Sequence, residues 1–198
     1  QREFPDETAQ SVFGAFGLGS EVLRLDDEYS RDHLWGIRIN VLMPTDGSND
    51  KREAILKTLK ENMPSSFQGH EFQELGDAVA GLGIQTPSEF FSMTIGIDRP
   101  PVTHEEWLAL PDEDIMHVIN GELWHDPVGQ FTALRQTLNA YYPEPVRLRR
   151  MAHWCRYYSG MGVYALKRAI LRDNEVFAAT AFGKAIRWGI QLAFMLDK

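Results

Sequence analysis

The residues best placed to do chemistry fall in two stretches of the chain. One is basic: from Pro145 to Arg172 there are seven cations, Arg147, Arg149, Arg150, Arg156, Lys167, Arg168 and Arg172, and no acid. The formal net charge is −8, so the remainder carries −15. Segregation of that kind sets up a local positive field in an acidic protein, suited to an anionic ligand or an acidic partner surface. The other stretch is Gly17-Leu18-Gly19-Ser20, at the end of the apolar run Ser11 to Leu18. Glycines at 17 and 19 let backbone come close to a ligand. Eleven residues separate Ser20 from Asp32, a carboxylate that leads into a second apolar run, Ile37 to Met43.

Elements of known type must hold these groups. Ser11 to Leu18 reads as a buried strand entering a tight turn, Glu21 to Leu25 as one helical turn, and Trp35 to Met43 as a second strand ended by Pro44. A helix follows over about Lys51 to Asn62, with the stripe Ile55, Leu56, Leu59 and Met63. Gly69 to Gly83 resists assignment, except that Val79 to Gln85 reads as a strand. Thr86-Pro87-Ser88-Glu89 combines an N-cap, a first-turn proline and a capping box; Thr103-His104-Glu105-Glu106 repeats the box. A short helix from Asp112 to Asn120 closes at Gly121, Glu122 to Asp126 reads as an edge strand, and Phe131 to Tyr142 as a helix. From Val146 to Arg172 the pattern is helical, with Leu148, Met151, Cys155 and Tyr158 on one face and a break or kink at Gly160 and Gly162. Asn174 then caps a final apolar helix through Phe194.

The succession Gly19-Ser20-Glu21, then Asp26-Asp27-Glu28-Tyr29-Ser30-Arg31-Asp32-His33-Leu34-Trp35-Gly36, resembles the signature of the nucleotidyltransferase superfamily. Within it, the wording is similar to one bacterial family of nucleotidyltransferase-like domains of unknown function (DUF 4037). The resemblance runs over about residues 11 to 198 and takes in Met63-Pro64, Phe67-Gln68-Gly69, Gly121 to Gln130 and Tyr141-Tyr142-Pro143. It implies an α+β fold: a nucleotidyltransferase-like mixed sheet with flanking helices over residues 1–130, then a C-terminal helical bundle over 131–198 on the substrate or partner side.

The resemblance also implies roles. Gly19 and Ser20 would hold the terminal phosphates of a nucleoside triphosphate through backbone N–H groups and a hydroxyl. Mg²⁺, or Mn²⁺ in its place, would sit on carboxylates at alternate positions of the second strand, with Asp32 as the catalytic and metal-binding carboxylate. Position 34, where the family pattern has its second Asp, is Leu34. One carboxylate holds two cations at the usual separation of about 3.5–4 Å poorly. The neighbouring strand Val79 to Gln85 has no acid, leaving Glu74 or Asp77 at its margin; Asp26, Asp27 and Glu28 better suit a surface turn. Arg147, Arg150, Lys167 and Arg168 are the cations assigned to triphosphate or acceptor, because a guanidinium fork takes two phosphate oxygens at once.

Two readings therefore stand side by side. In one, the protein transfers a nucleoside monophosphate from a Mg-bound triphosphate to a hydroxyl of an unknown acceptor. In the other, it is a catalytically degenerate member of the fold that binds a nucleotide or a protein partner. A helical adaptor is a third. The net negative charge argues against general nucleic-acid binding, and no apolar run approaches the ~18 residues of a membrane helix. The first ten residues lack the order of a secretory signal, and Cys155 is the one cysteine, so a cytoplasmic setting is expected.

Overall fold

The computed structural model describes residues 3–31, 38–44, 49–71, 74–75, 78–79 and 82–197. It is an α+β structure that divides into two compact units, residues 1–102 with 109–141, and residues 103–108 with 142–198.

The first unit is built on a four-stranded mixed sheet. In chain order the elements are α1 (Pro5–Gln10), β1 (Val12–Phe16), β2 (Ile39–Leu42), α2 (Asn49–Asn62), the two-residue strands β3 (Ser66–Phe67), β4 (His70–Glu71), β5 (Glu74–Leu75) and β6 (Ala78–Val79), then β7 (Leu82–Gln85), α3 (Pro87–Ile95), α5 (Asp112–Ile119), β8 (Gly121–His125) and α6 (Gln130–Asn139). The sheet order is β7-β2-β1-β8. β1 runs antiparallel to β2 and β8, and β2 runs parallel to β7 with Val41 opposite Ile84. β8 is thus the edge strand expected from the sequence.

Alternation along β1 sends Val12, Gly14 and Phe16 to one face and Phe13 and Ala15 to the other. On the first face Phe16, fully buried, meets Phe90 and Phe131 with ring centroids 5.2 and 5.1 Å apart, and Phe91 completes the cluster. On the second face α1 and α2 cover Phe13, Val41 and Met43 around a cavity of about 350 Å³ that also touches Ile55 and Leu59. Covered on both faces, Val41, Leu42 and Met43 are all buried, which explains the unbroken apolar run.

Among the described residues after α2, β3 pairs with β4 and β5 with β6, both antiparallel. Gln68 and Gly69 both have positive φ, +50° and +83°, the requirement of a two-residue type I′ turn. Thr86 and Glu89 exchange their capping hydrogen bonds at 2.7 and 3.1 Å, and Gly96 ends α3 at φ +78°. At the end of α5 the half-buried Arg135 donates to the carbonyls of Ile119, Asn120 and Gly121, satisfying groups that a helix C-terminus leaves open. Burial lowers the Arg135 pKa from its ordinary value.

The second unit is helical: α4 (His104–Ala109), most of which belongs here, α7 (Glu144–Tyr158), a π-helical segment (Ser159–Ala165), α8 (Leu166–Ile170) and α9 (Glu175–Leu196). Thr103 and Glu106 form the second capping box, and Asn174 caps α9 by accepting from Phe177 N at 3.1 Å. α7 and α9 are antiparallel: Arg147 near the start of α7 donates to Met195 O near the end of α9, and Gly162 lies against Ala185.

The break or kink expected at Gly160 and Gly162 takes the form of the π segment that interrupts the α-helix between Tyr158 and Leu166; both glycines lie in it, and Ser159 and Leu166 keep right-handed helical dihedrals. A Cβ at 162 would stand 3.0 Å from Ala185 Cβ, so glycine there lets α9 approach. The buried residues of α7 are Val146 and Trp154, whereas Leu148, Cys155 and Tyr158 are exposed. Among the described residues no helix is long and apolar enough to cross a membrane.

Candidate functional site

The end of β1 carries the turn. Asn40, opposite Gly14 on β2, donates its side-chain amide to Phe16 O and so fixes the last carbonyl of the strand. Gly17 follows at φ +93° with the Phe90 ring against its α-carbon, and Gly19 at φ +130°. Both angles favour glycine.

Past Gly19 the chain folds onto itself. Leu23 N and Leu25 N both donate to Ser20 O, at 3.1 and 2.9 Å, and Arg24 N donates to Glu21 O. This is the expected helical turn, closed by Arg24 in the left-handed region at φ +58°. Val22 is buried beside Gly121, and Arg24 donates to Glu122 Oε1 of β8 at 2.7 Å. The Arg24 guanidinium, with the Trp124 indole, holds the Glu122 carboxyl below its ordinary pKa. The turn is anchored to the edge strand by an apolar side chain and an exposed ion pair.

Among the described residues, Asp26, Asp27 and Glu21 near Ser20 are already engaged. Ser20 Oγ donates to Asp26 Oδ1 at 2.7 Å. Asp27 Oδ1 accepts from Tyr29 N and Ser30 N and caps the single 3-10 turn Glu28–Arg31, so the surface-turn reading of these acids describes the geometry. Glu21 pairs with Arg38, the residue just before β2. A Cβ on Gly19 would overlap both the Glu21 carboxylate and the Arg38 guanidinium. Arg38 Nε is buried with no hydrogen-bond partner. Sequence reasoning passed over Arg38; the signal was a single cation leading directly into an apolar strand, where a charge must find a counter-charge.

Asp32, His33, Leu34, Trp35 and Gly36 lie outside the described residues. Among the described residues no three His, Cys, Asp or Glu side chains converge to hold a metal ion.

The four cations assigned to the anion lie in the second unit. Arg147 makes a two-pronged pair with Glu144, both contacts 2.8 Å. Arg150 donates to Trp107 O at 2.9 Å and lies 4.8 Å from the centre of the Tyr142 ring. Lys167 and Arg168 are exposed, Arg168 over Tyr164 at 5.0 Å. Arg147 and Arg150 thus hold helices together, and Lys167 and Arg168 present charge to solvent.

The geometry can be set beside known proteins. Residues 107–198 match the model of a domain of unknown function (DUF4037). The DUF4037 match begins at Trp107, within α4, and takes in α5, β8, α6, α7, the π segment, α8 and α9; Gly19 and Ser20 precede it. No curated protein and no solved structure matches the chain.

Proposed function

We propose that the first unit is a catalytically degenerate nucleotidyltransferase-like module that binds a nucleoside triphosphate at the Gly17–Ser20 turn. The observation that carries this reading is the turn itself: two positive-φ glycines at the end of β1, an anchored loop behind them and a cation, Arg38, against Gly19. Glycine backbone beside a guanidinium suits phosphate oxygens. Degeneracy rests on Leu34 at the position where the family pattern has its second Asp, and on the engagement of Asp26 by Ser20 Oγ and of Asp27 by the backbone of the 3-10 turn.

Titration calorimetry with ATP, GTP, CTP and UTP, each with and without Mg²⁺ or Mn²⁺, tests it. Binding of at least one triphosphate is expected, with a rise in melting temperature that grows with ligand concentration. Absence of binding to all four would sink the reading. The second reading, nucleotidyl transfer to an acceptor hydroxyl, draws on Asp32 in the signature. Labelled triphosphate that marks an acceptor with the wild type and not with Asp32→Ala would favour it; activity gained only with Leu34→Asp would favour degeneracy.

A further inference from the structure

We propose that Arg38 is the phosphate-binding cation of the Gly19–Ser20 turn, and that Glu21 occupies its guanidinium as an internal anion which an incoming phosphate must displace. The inference rests on the triphosphate-binding reading and adds to it a recognition residue and a built-in competitor.

Three observations combine. First, Arg38 and Glu21 meet where Gly19 lacks a side chain, so the guanidinium lies against backbone at the phosphate turn. Second, the guanidinium is only partly satisfied. Its side chain is 28% exposed and Nε is buried without a hydrogen-bond partner, whereas a fork of five N–H donors can serve a bidentate anion. Third, the competitor is the more accessible partner, with 38% of its side chain exposed, and it follows Ser20 directly. Glu21 can rotate away without unfolding the turn, because the turn closes through the backbone of Ser20 and Glu21 and through Val22 and Arg24.

The chemistry favours exchange. A carboxylate brings one negative charge to Arg38, whereas a triphosphate brings several and can also meet the backbone of the turn. While Glu21 is seated, the competent fraction of molecules is reduced, and apparent affinity falls by that fraction. The other charged groups nearby, Arg24 with Glu122 and Asp26 with Ser20, have partners of their own.

Titration of full-length protein with each triphosphate, and with inorganic tripolyphosphate as the bare anion, tests the proposal using Glu21→Gln, Arg38→Gln and Arg38→Lys. Glu21→Gln is expected to tighten binding by about two- to fivefold, the share of a partly exposed ion pair. Arg38→Gln should weaken it by about tenfold or more, with Arg38→Lys recovering part of the loss. Far-ultraviolet circular dichroism reports whether each variant folds; Glu21→Gln and Arg38→Lys keep the test decisive where Arg38→Gln does not. Wild-type binding that Glu21→Gln leaves unchanged or weakens overturns the competitor and leaves the triphosphate reading standing. Wild-type binding indifferent to both Arg38 substitutions overturns the cation assignment. Binding by neither wild type nor Glu21→Gln overturns both readings together.

Discussion

Two glycines with nearly the same backbone and opposite surroundings allow steric overlap to be measured apart from backbone strain. Gly96 ends α3 at φ +78° with nothing within 4 Å of a would-be Cβ. Gly121 opens β8 at φ +84°, where a Cβ would stand 2.7 Å from Phe16 Cα and closer still to the Ala15 carbonyl oxygen. Alanine in the left-handed region costs about 1 kcal/mol, and Gly96→Ala should lose about that much. Gly121→Ala bears the same strain and must also lift β8 from β1. Lifting breaks one or two ladder hydrogen bonds at about 1 kcal/mol each and unpacks the buried Val22, for a total of about 3–5 kcal/mol. Urea denaturation, with the loss taken from the shift in midpoint at constant slope, separates the two. In thermal melts the expected shifts are about 2–4 °C for Gly96→Ala and about 10 °C for Gly121→Ala. Equal losses would refute the claim that backbone crowding between β1 and β8 requires glycine at 121.

Two further predictions concern charge. Glu89 accepts from Thr86 N and pairs with Arg52, and the first of these chiefly lowers its pKa from 4.5. A depressed folded value gives stability that is complete above the unfolded value and is lost as pH falls through the folded one. The stability advantage of wild type over Glu89→Gln should therefore be full at neutral pH and shrink below about pH 4.5, as read from denaturation midpoints at each pH. In the second unit, Arg150→Ala should destabilise by about 1–3 kcal/mol, since it removes a charge-assisted bond to Trp107 O and the contact with Tyr142, whereas Lys167→Ala should stay within about 0.5 kcal/mol. Chemical denaturation followed by tryptophan fluorescence checks both; a Lys167→Ala loss as large as that of Arg150→Ala would overturn the division of roles.

What the sequence made legible was local. Thr86, Thr103 and Asn174 announce helix starts because a cap acts within three residues of itself. β1 and the turn after it were readable from Gly17, Gly19 and the apolar run. What escaped notice depends on distant partners. Arg38 matters through Glu21 and Gly19, and Arg135 through carbonyls 14 to 16 positions away; no period or motif encodes either relation. Which side of α7 is buried also depends on distant partners: packing covers Val146 and Trp154 and leaves Leu148 and Cys155 exposed. At the candidate site, the turn's backbone was anticipated and the cation beside it was not.

The π segment bears on how this helix can change over evolutionary time. An i→i+5 turn holds about one residue more than an α turn, so Ser159–Ala165 contains a residue that its neighbours do not need for their own phase. Deleting Gly160 would convert the segment to α-helix with α7 and α8 still directing the same sides toward α9. The same deletion within α9 would turn everything after it by about 100° and take Met195 out of the core. Length variation among related sequences should accordingly collect at the 159–165 segment, where a gap in an alignment marks the interchange of two helical pitches and not the loss of an element.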